Sequence, residues 1–136
     1  MKLKSPGSRG FTLIEMVVVI TLILILLSIA LPMYNQAIRR SKEARLHHDV
    51  ALLNELVQRY SIDKNQAPQS LDDLVSAGYM KAIPEDVTGR TDTWAWDQED
   101  PEKAFDPNQP GIAAGTVHSG SKEIATDGRA YSDWTH

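Results

Sequence analysis

The chain has 136 residues, 14 Lys and Arg against 18 Asp and Glu, a net charge of −4 and no cysteine. One ordinary domain fits that length, or a small domain with an appendage. The missing cysteine excludes disulfides, thiolate metal sites and cysteine nucleophiles. The mean composition hides two unlike halves. From Met16 to Ile38 there are 23 residues without a charge, whereas Ile62 to His136 carries 14 acids against 6 bases. That acidic half would repel phosphates, and no basic stripe with interleaved aromatics exists, so nucleic acid is not an expected partner.

Residues 1–10 are short and basic, with Lys2, Lys4 and Arg9. Phe11-Thr12-Leu13-Ile14-Glu15 follows, and then the apolar run. At ~1.5 Å per residue the 23-residue run reaches about 34 Å as a helix, enough to cross a bilayer. Lipid leaves no other way to satisfy its backbone. A cleaved secretory signal is an alternative, with a basic start, an apolar middle and Ser28-Ile29-Ala30 as a small-x-small site. Two features oppose it: Glu15 heads the run, and the helical pattern continues past Ala30. The bases on the two flanks nearly balance, so charge alone leaves the orientation open. A carboxylate in lipid costs about 2.5–3.5 kcal/mol and needs a partner. No Lys or Arg lies inside the run. A chain cut before Phe11 would supply one, a new α-amine about one helical turn from Glu15. Between staggered copies the two could pair and set a register. Pro32 lacks an N–H, so a kink or local unwinding is expected near Ser28, unless the proline only marks the end of the span.

Gly10-Phe11-Thr12-Leu13-Ile14-Glu15, after a basic leader and before an apolar run with Pro32, resembles the class III signal of type IV pilins and type II secretion pseudopilins. The resemblance implies cleavage after Gly10 by a prepilin peptidase, N-methylation of Phe11, and an assembly role for Glu15. It also implies a leader in the cytoplasm, a single pass through the bacterial inner membrane, and a head in the periplasm.

Beyond the run, Leu46, Val50, Leu53, Val57 and Tyr60 step by 4, 3, 4 and 3, the apolar stripe of a helix. Arg39, Arg40, Lys42, Glu43, Arg45, Asp49, Glu55 and Arg59 are expected on other faces. The pattern predicts one helix from about Phe11 to Asp63. Ser70 caps a short helix, Leu71–Ser76, with Asp73 as capping-box partner and Gly78 at its left-handed end. Thr93–Trp96 reads as a strand by propensity. Gln98–Pro110 reads as a loop, Ile112–His118 as a second strand weakened by Gly115. Ser119–His136 reads as irregular, with Tyr131 and Trp134 packed inward. Ser70 through Pro84, Thr93-Trp94 and Ser132-Asp133-Trp134 resemble the G-type, major pseudopilin of type II secretion.

The expected fold is α+β, type IV pilin-like: a long N-terminal helix on a small head with a short antiparallel sheet. The expected segments are a leader (1–10), a membrane and assembly half-helix (11–38), an amphipathic half-helix (39–64) and an acidic head (65–136).

Three chemistries can be assembled on paper. Ser119, His118 and Asp127 lack a Gly-x-Ser-x-Gly elbow and fall in a loop, so no catalytic triad is expected. His47 and His48 point about 100° apart on a helix and cannot chelate one ion as an i, i+4 pair would. The turn-rich tail around Ser119–Asp133 offers oxygens to calcium, but it lacks the EF-hand pattern. The G-type resemblance implies a calcium site mapped onto Asp127 and Asp133; solvated loop acids are the alternative.

The expected function is structural rather than enzymatic: a pseudopilin that polymerises through its N-terminal helices into a periplasmic pseudopilus driving type II secretion. The implied partners are the prepilin peptidase, minor pseudopilins and an inner-membrane assembly platform. A surface type IV pilin is the alternative within the class, although such pilins often carry a C-terminal disulfide that this chain cannot form. A membrane-anchored binding module, using Asp97–Asp106 toward cations or a basic partner, is the alternative outside it.

Overall fold

The computed structural model describes residues 10–97 and 114–135. The chain divides into two compact units between Ile38 and Arg39. Secondary structure runs α1 (Leu13–Lys64), α2 (Leu71–Ser76), β1 (Trp94–Asp97), β2 (Thr116–Ser119) and a 3-10 turn, Tyr131–Asp133. This is the α+β fold expected. The loop at Gln98–Pro110, most of the Asp97–Asp106 patch and the start of the second expected strand lie outside the described residues.

α1 begins at Leu13 rather than Phe11, because Thr12 caps it. The Thr12 hydroxyl accepts the Glu15 amide at 3.3 Å, and the Thr12 carbonyl accepts the Met16 amide at 3.2 Å. A Thr followed three residues later by Glu is a capping-box sequence, and the acid also suits the positive end of the helix dipole. The unwinding expected near Ser28 is absent: α1 is continuous through Pro32. The Ser28 hydroxyl donates to the Ile25 carbonyl at 2.7 Å, a local bond compatible with helix.

In the second unit, Leu46, Val50, Leu53, Val57 and Tyr60 are all buried, as their spacing predicts. Two apolar clusters form on this stripe. One gathers Leu53, Val57, Tyr60, Leu74, Ala114 and Val117; the other gathers Leu46, Val50, Ala125, Tyr131 and Trp134. Trp94 packs against both, and its indole N–H donates to the Pro84 carbonyl at 2.8 Å. The expectation that all charged residues of this segment lie on other faces is corrected: Glu43 and Asp49 are buried. Glu43 stands three residues before Leu46 and so continues the stripe by one step.

β1 and β2 pair antiparallel, Trp94 opposite Ser119 and Asp97 opposite Thr116. β1 lies one residue later than the expected Thr93–Trp96, and β2 is shorter than the expected Ile112–His118, with Ala114 and Gly115 outside it and its end one residue later. Two strands alone leave an edge of unpaired peptide groups. Asn54 of α1 closes that edge. Its side chain accepts the Val117 amide at 2.7 Å and donates to the Val117 carbonyl at 3.0 Å and the Thr135 carbonyl at 3.3 Å. The carboxamide thus stands in for the peptide group of a third strand.

The connections follow their turn chemistry. Asp73 accepts the Gln69 and Ser70 amides at the start of α2. Gly78 takes φ +84° just beyond its end. The Asp86 carboxylate is buried and collects the Val87 amide and the hydroxyls of Thr93 and Ser119, tying the 84–93 connection to β2.

Candidate functional site

Two places on the chain are candidates for a functional site. The first is the start of α1. Gly10 and Phe11 are exposed, Phe11 by 76%. Glu15 lies in the first turn of the helix and is exposed. Phe11 stands just before the helix and Glu15 in its first turn. From Met16 to Ile38 the large apolar side chains point outward with nothing packed over them. A soluble protein does not leave such a surface bare; lipid or other helices must cover it. By length and composition this helix can cross a membrane.

The second place is the C-terminal loop, residues 120–134, where it lies on α1. Its anchor is Glu43, 6% exposed. One Glu43 oxygen accepts the Thr126 amide at 2.8 Å and the Tyr131 hydroxyl at 3.0 Å, and the other accepts the Thr126 hydroxyl. Arg39, one turn earlier, approaches Glu43 at 3.6 Å and donates to the Ile124 carbonyl. Burial pushes the Glu43 carboxyl up. The bonds from Thr126 and Tyr131 and the charge of Arg39 outweigh it and hold the group below its ordinary range. Below this knot His47 stacks on Trp134, ring centres 3.9 Å apart, and Tyr131 meets Trp134 edge-on at 5.3 Å.

The residues of the expected calcium site do not fit an ion as they stand. Asp127 accepts the Arg129 amide at 2.9 Å with one oxygen and the Arg129 guanidinium at 2.8 Å with the other. Asp133 is exposed on the 3-10 turn. Among the described residues no three His, Cys, Asp or Glu side chains gather to hold a metal. The paper triad is not assembled either. Ser119 bonds Asp86, and His118 faces Asp97 at 3.3 Å. His47 is a stacking partner, not a ligand. The residue that sequence reasoning missed is Glu43; its signal was an acid at the next heptad position of an apolar stripe.

A family model for the prokaryotic N-terminal methylation motif matches residues 6–31. The competence protein ComGC of Halalkalibacterium halodurans is 38% identical over 81 residues, 60% of this chain and 79% of the relative. The type II secretion system core protein G of Aeromonas hydrophila is 30% identical over 96 residues, 59% of this chain and 67% of the relative. The type IV wide pilus major component PilA4 of Thermus thermophilus is 34% identical over 85 residues, 60% of this chain and 62% of the relative. No solved structure matches the chain. These relatives are named for competence, secretion and a pilus, and together with the methylation motif at residues 6–31 they show that the chain belongs to the type IV pilin-like superfamily.

Proposed function

We propose that the chain is the major pseudopilin of a type II secretion system. It is a structural subunit, not an enzyme. A prepilin peptidase removes residues 1–10 and methylates the new terminal Phe11. Residues 11–38 hold the subunit in the inner membrane with the leader side in the cytoplasm and the head in the periplasm. Residues 39–64 carry the head, 65–136. On assembly the apolar helices leave lipid and pack on one another. Glu15 then needs a cation in a medium where an isolated acid costs about 2.5–3.5 kcal/mol. The Phe11 amine of a neighbouring copy supplies it, which fixes the stagger between subunits. Addition of subunits at an inner-membrane platform lengthens the pseudopilus and pushes substrates outward.

The observation that carries the reading is Glu15, in the first turn of α1 just after the Gly10–Phe11 bond, at the head of the exposed apolar run Met16–Ile38. The choice of secretion is supported by similarity to core protein G of Aeromonas hydrophila and of Escherichia coli, and by a chain without cysteine. A competence or surface pilus is the second reading, favoured by the 38% identity to ComGC. Mass spectrometry of the mature protein tests the shared part: methylated Phe11 is expected, and an intact Met1 or a start at Leu31 refutes it. A deletion strain separates the readings. Loss of protein secretion with twitching and DNA uptake intact is expected; the reverse pattern assigns the chain to a pilus.

A further inference from the structure

Tyr131 and Trp134 anchor the end of the C-terminal loop on α1, but between Lys122 and Arg129 apolar anchors are few. Ala125 is buried, but Ile124 is exposed, and Lys122, Glu123, Asp127 and Arg129 all face solvent. Local bonds shape it: the Gly128 amide reaches the Ala125 carbonyl at 3.1 Å, and the Ala125 amide reaches the Arg129 carbonyl at 2.7 Å. Those bonds hold the turn together without fixing it to α1. The contacts that fix this stretch to α1 are therefore polar ones, and a bound ion is one way such a loop gains order.

A calcium ion requires oxygens turned toward a common point. This loop does the opposite. The Thr126 amide, the Thr126 hydroxyl and the Tyr131 hydroxyl are three donors, and all three converge on one carboxylate. The Ile124 carbonyl meets the guanidinium of Arg39. We infer that Glu43 and Arg39 of α1 pin the C-terminal loop in place of a metal, so that the head closes without calcium. The polarity of the site is inverted relative to a cation site. The anion comes from the helix, the donors come from the loop, and the fixed cation beside them is a side chain. Hydrogen bonds to a buried charged group are the stronger kind, and loss of the charge leaves the donors facing a neutral amide. The inference holds for either filament, because it concerns only how the head is closed.

Lys122 and Arg129 make the loop its own reporter, since trypsin cuts after both. The full-length protein in detergent is compared in millimolar calcium and in EDTA. Its melting temperature and its rate of cleavage after Lys122 and Arg129 are expected to be the same in both. Glu43→Gln is expected to speed that cleavage about tenfold or more in either buffer. Thr126→Val, a milder change at the same contact, is expected to move it the same way by less, and it serves if Glu43→Gln fails to fold. A melting temperature that rises with calcium in the unmutated protein, and no longer rises in Asp127→Ala, overturns the inference. So does a Glu43→Gln loop that stays as protected as the original.

Discussion

Asn54→Ala should remove a large part of the head's stability, although Asn54 is only half-buried. Val117 is fully buried, and the carboxamide of Asn54 satisfies both its amide and its carbonyl. Alanine leaves both peptide groups without that partner. A buried polar group stripped of its partner costs about 1–3 kcal/mol. Water can reach part of the gap from the half-exposed side, so the lower range applies and the pair should cost about 2–4 kcal/mol. Small domains hold only about 5–15 kcal/mol in total. At roughly 4–8 °C per kcal/mol for a domain of this size, the midpoint should fall by about 10–25 °C. Thermal unfolding of the full chain in detergent, followed by near-ultraviolet circular dichroism of the tryptophans, reads it. Neighbouring Gln58→Ala, on the exposed face, should shift stability by no more than about 0.5 kcal/mol. Asn54→Asp should rescue nothing, because it keeps an acceptor for the amide but sets a carboxylate against the Val117 carbonyl. An Asn54→Ala midpoint matching that of Gln58→Ala would refute the idea that this side chain completes the sheet.

Glu15→Ala should leave the protein inserted in the membrane and stop filament growth; filaments of normal length seen by electron microscopy would count against the register argument. Gly120→Ala should destabilise the sheet by about 1–3 kcal/mol, because a Cβ there would be driven into the Thr93 carbonyl that accepts the Gly120 amide; denaturant midpoints check it. The depressed Glu43 carboxyl fixes a pH dependence. A group whose folded pKa lies below its unfolded value adds stability above the unfolded value and loses it as pH falls through the folded one. With Arg39 and Tyr131 facing it, Glu43 should leave the melting temperature flat near neutrality and lower it in acid below about 4.5, and Glu43→Gln should make that acid fall shallower. An acid limb unchanged in the variant would sink this.

The N-terminal half was legible because its physics is local or solvent-driven. A charge-free run has one way to satisfy its backbone in lipid, so Met16–Ile38 could only be a helix. An acid at its head needs a cation whatever the head looks like. The stripe from Leu46 to Tyr60 was legible for the same reason, since helix period and burial coincide. Sequence placed α2 and the turn at Gly78 because capping and left-handed backbone are properties of single residues. The Thr12 cap was also written in the sequence, since Thr12 and Glu15 carry the capping-box signature.

What sequence could not decide was which polar groups meet across the chain. Glu43 and Thr126 are 83 residues apart, and Asn54 and Val117 are 63 apart. A carboxylate on a helix reads as solvated until the tertiary fold lays a loop of donors over it. The resemblance that maps a calcium site onto Asp127 and Asp133 carries no information on where their oxygens point. Only the folded chain turns Asp127 toward Arg129 and the neighbouring donors toward Glu43. The membrane helix and its lone acid were set by sequence because solvent alone dictates them. The closure of the head was set by tertiary structure because hydrogen bonding depends on direction, which a linear sequence does not carry.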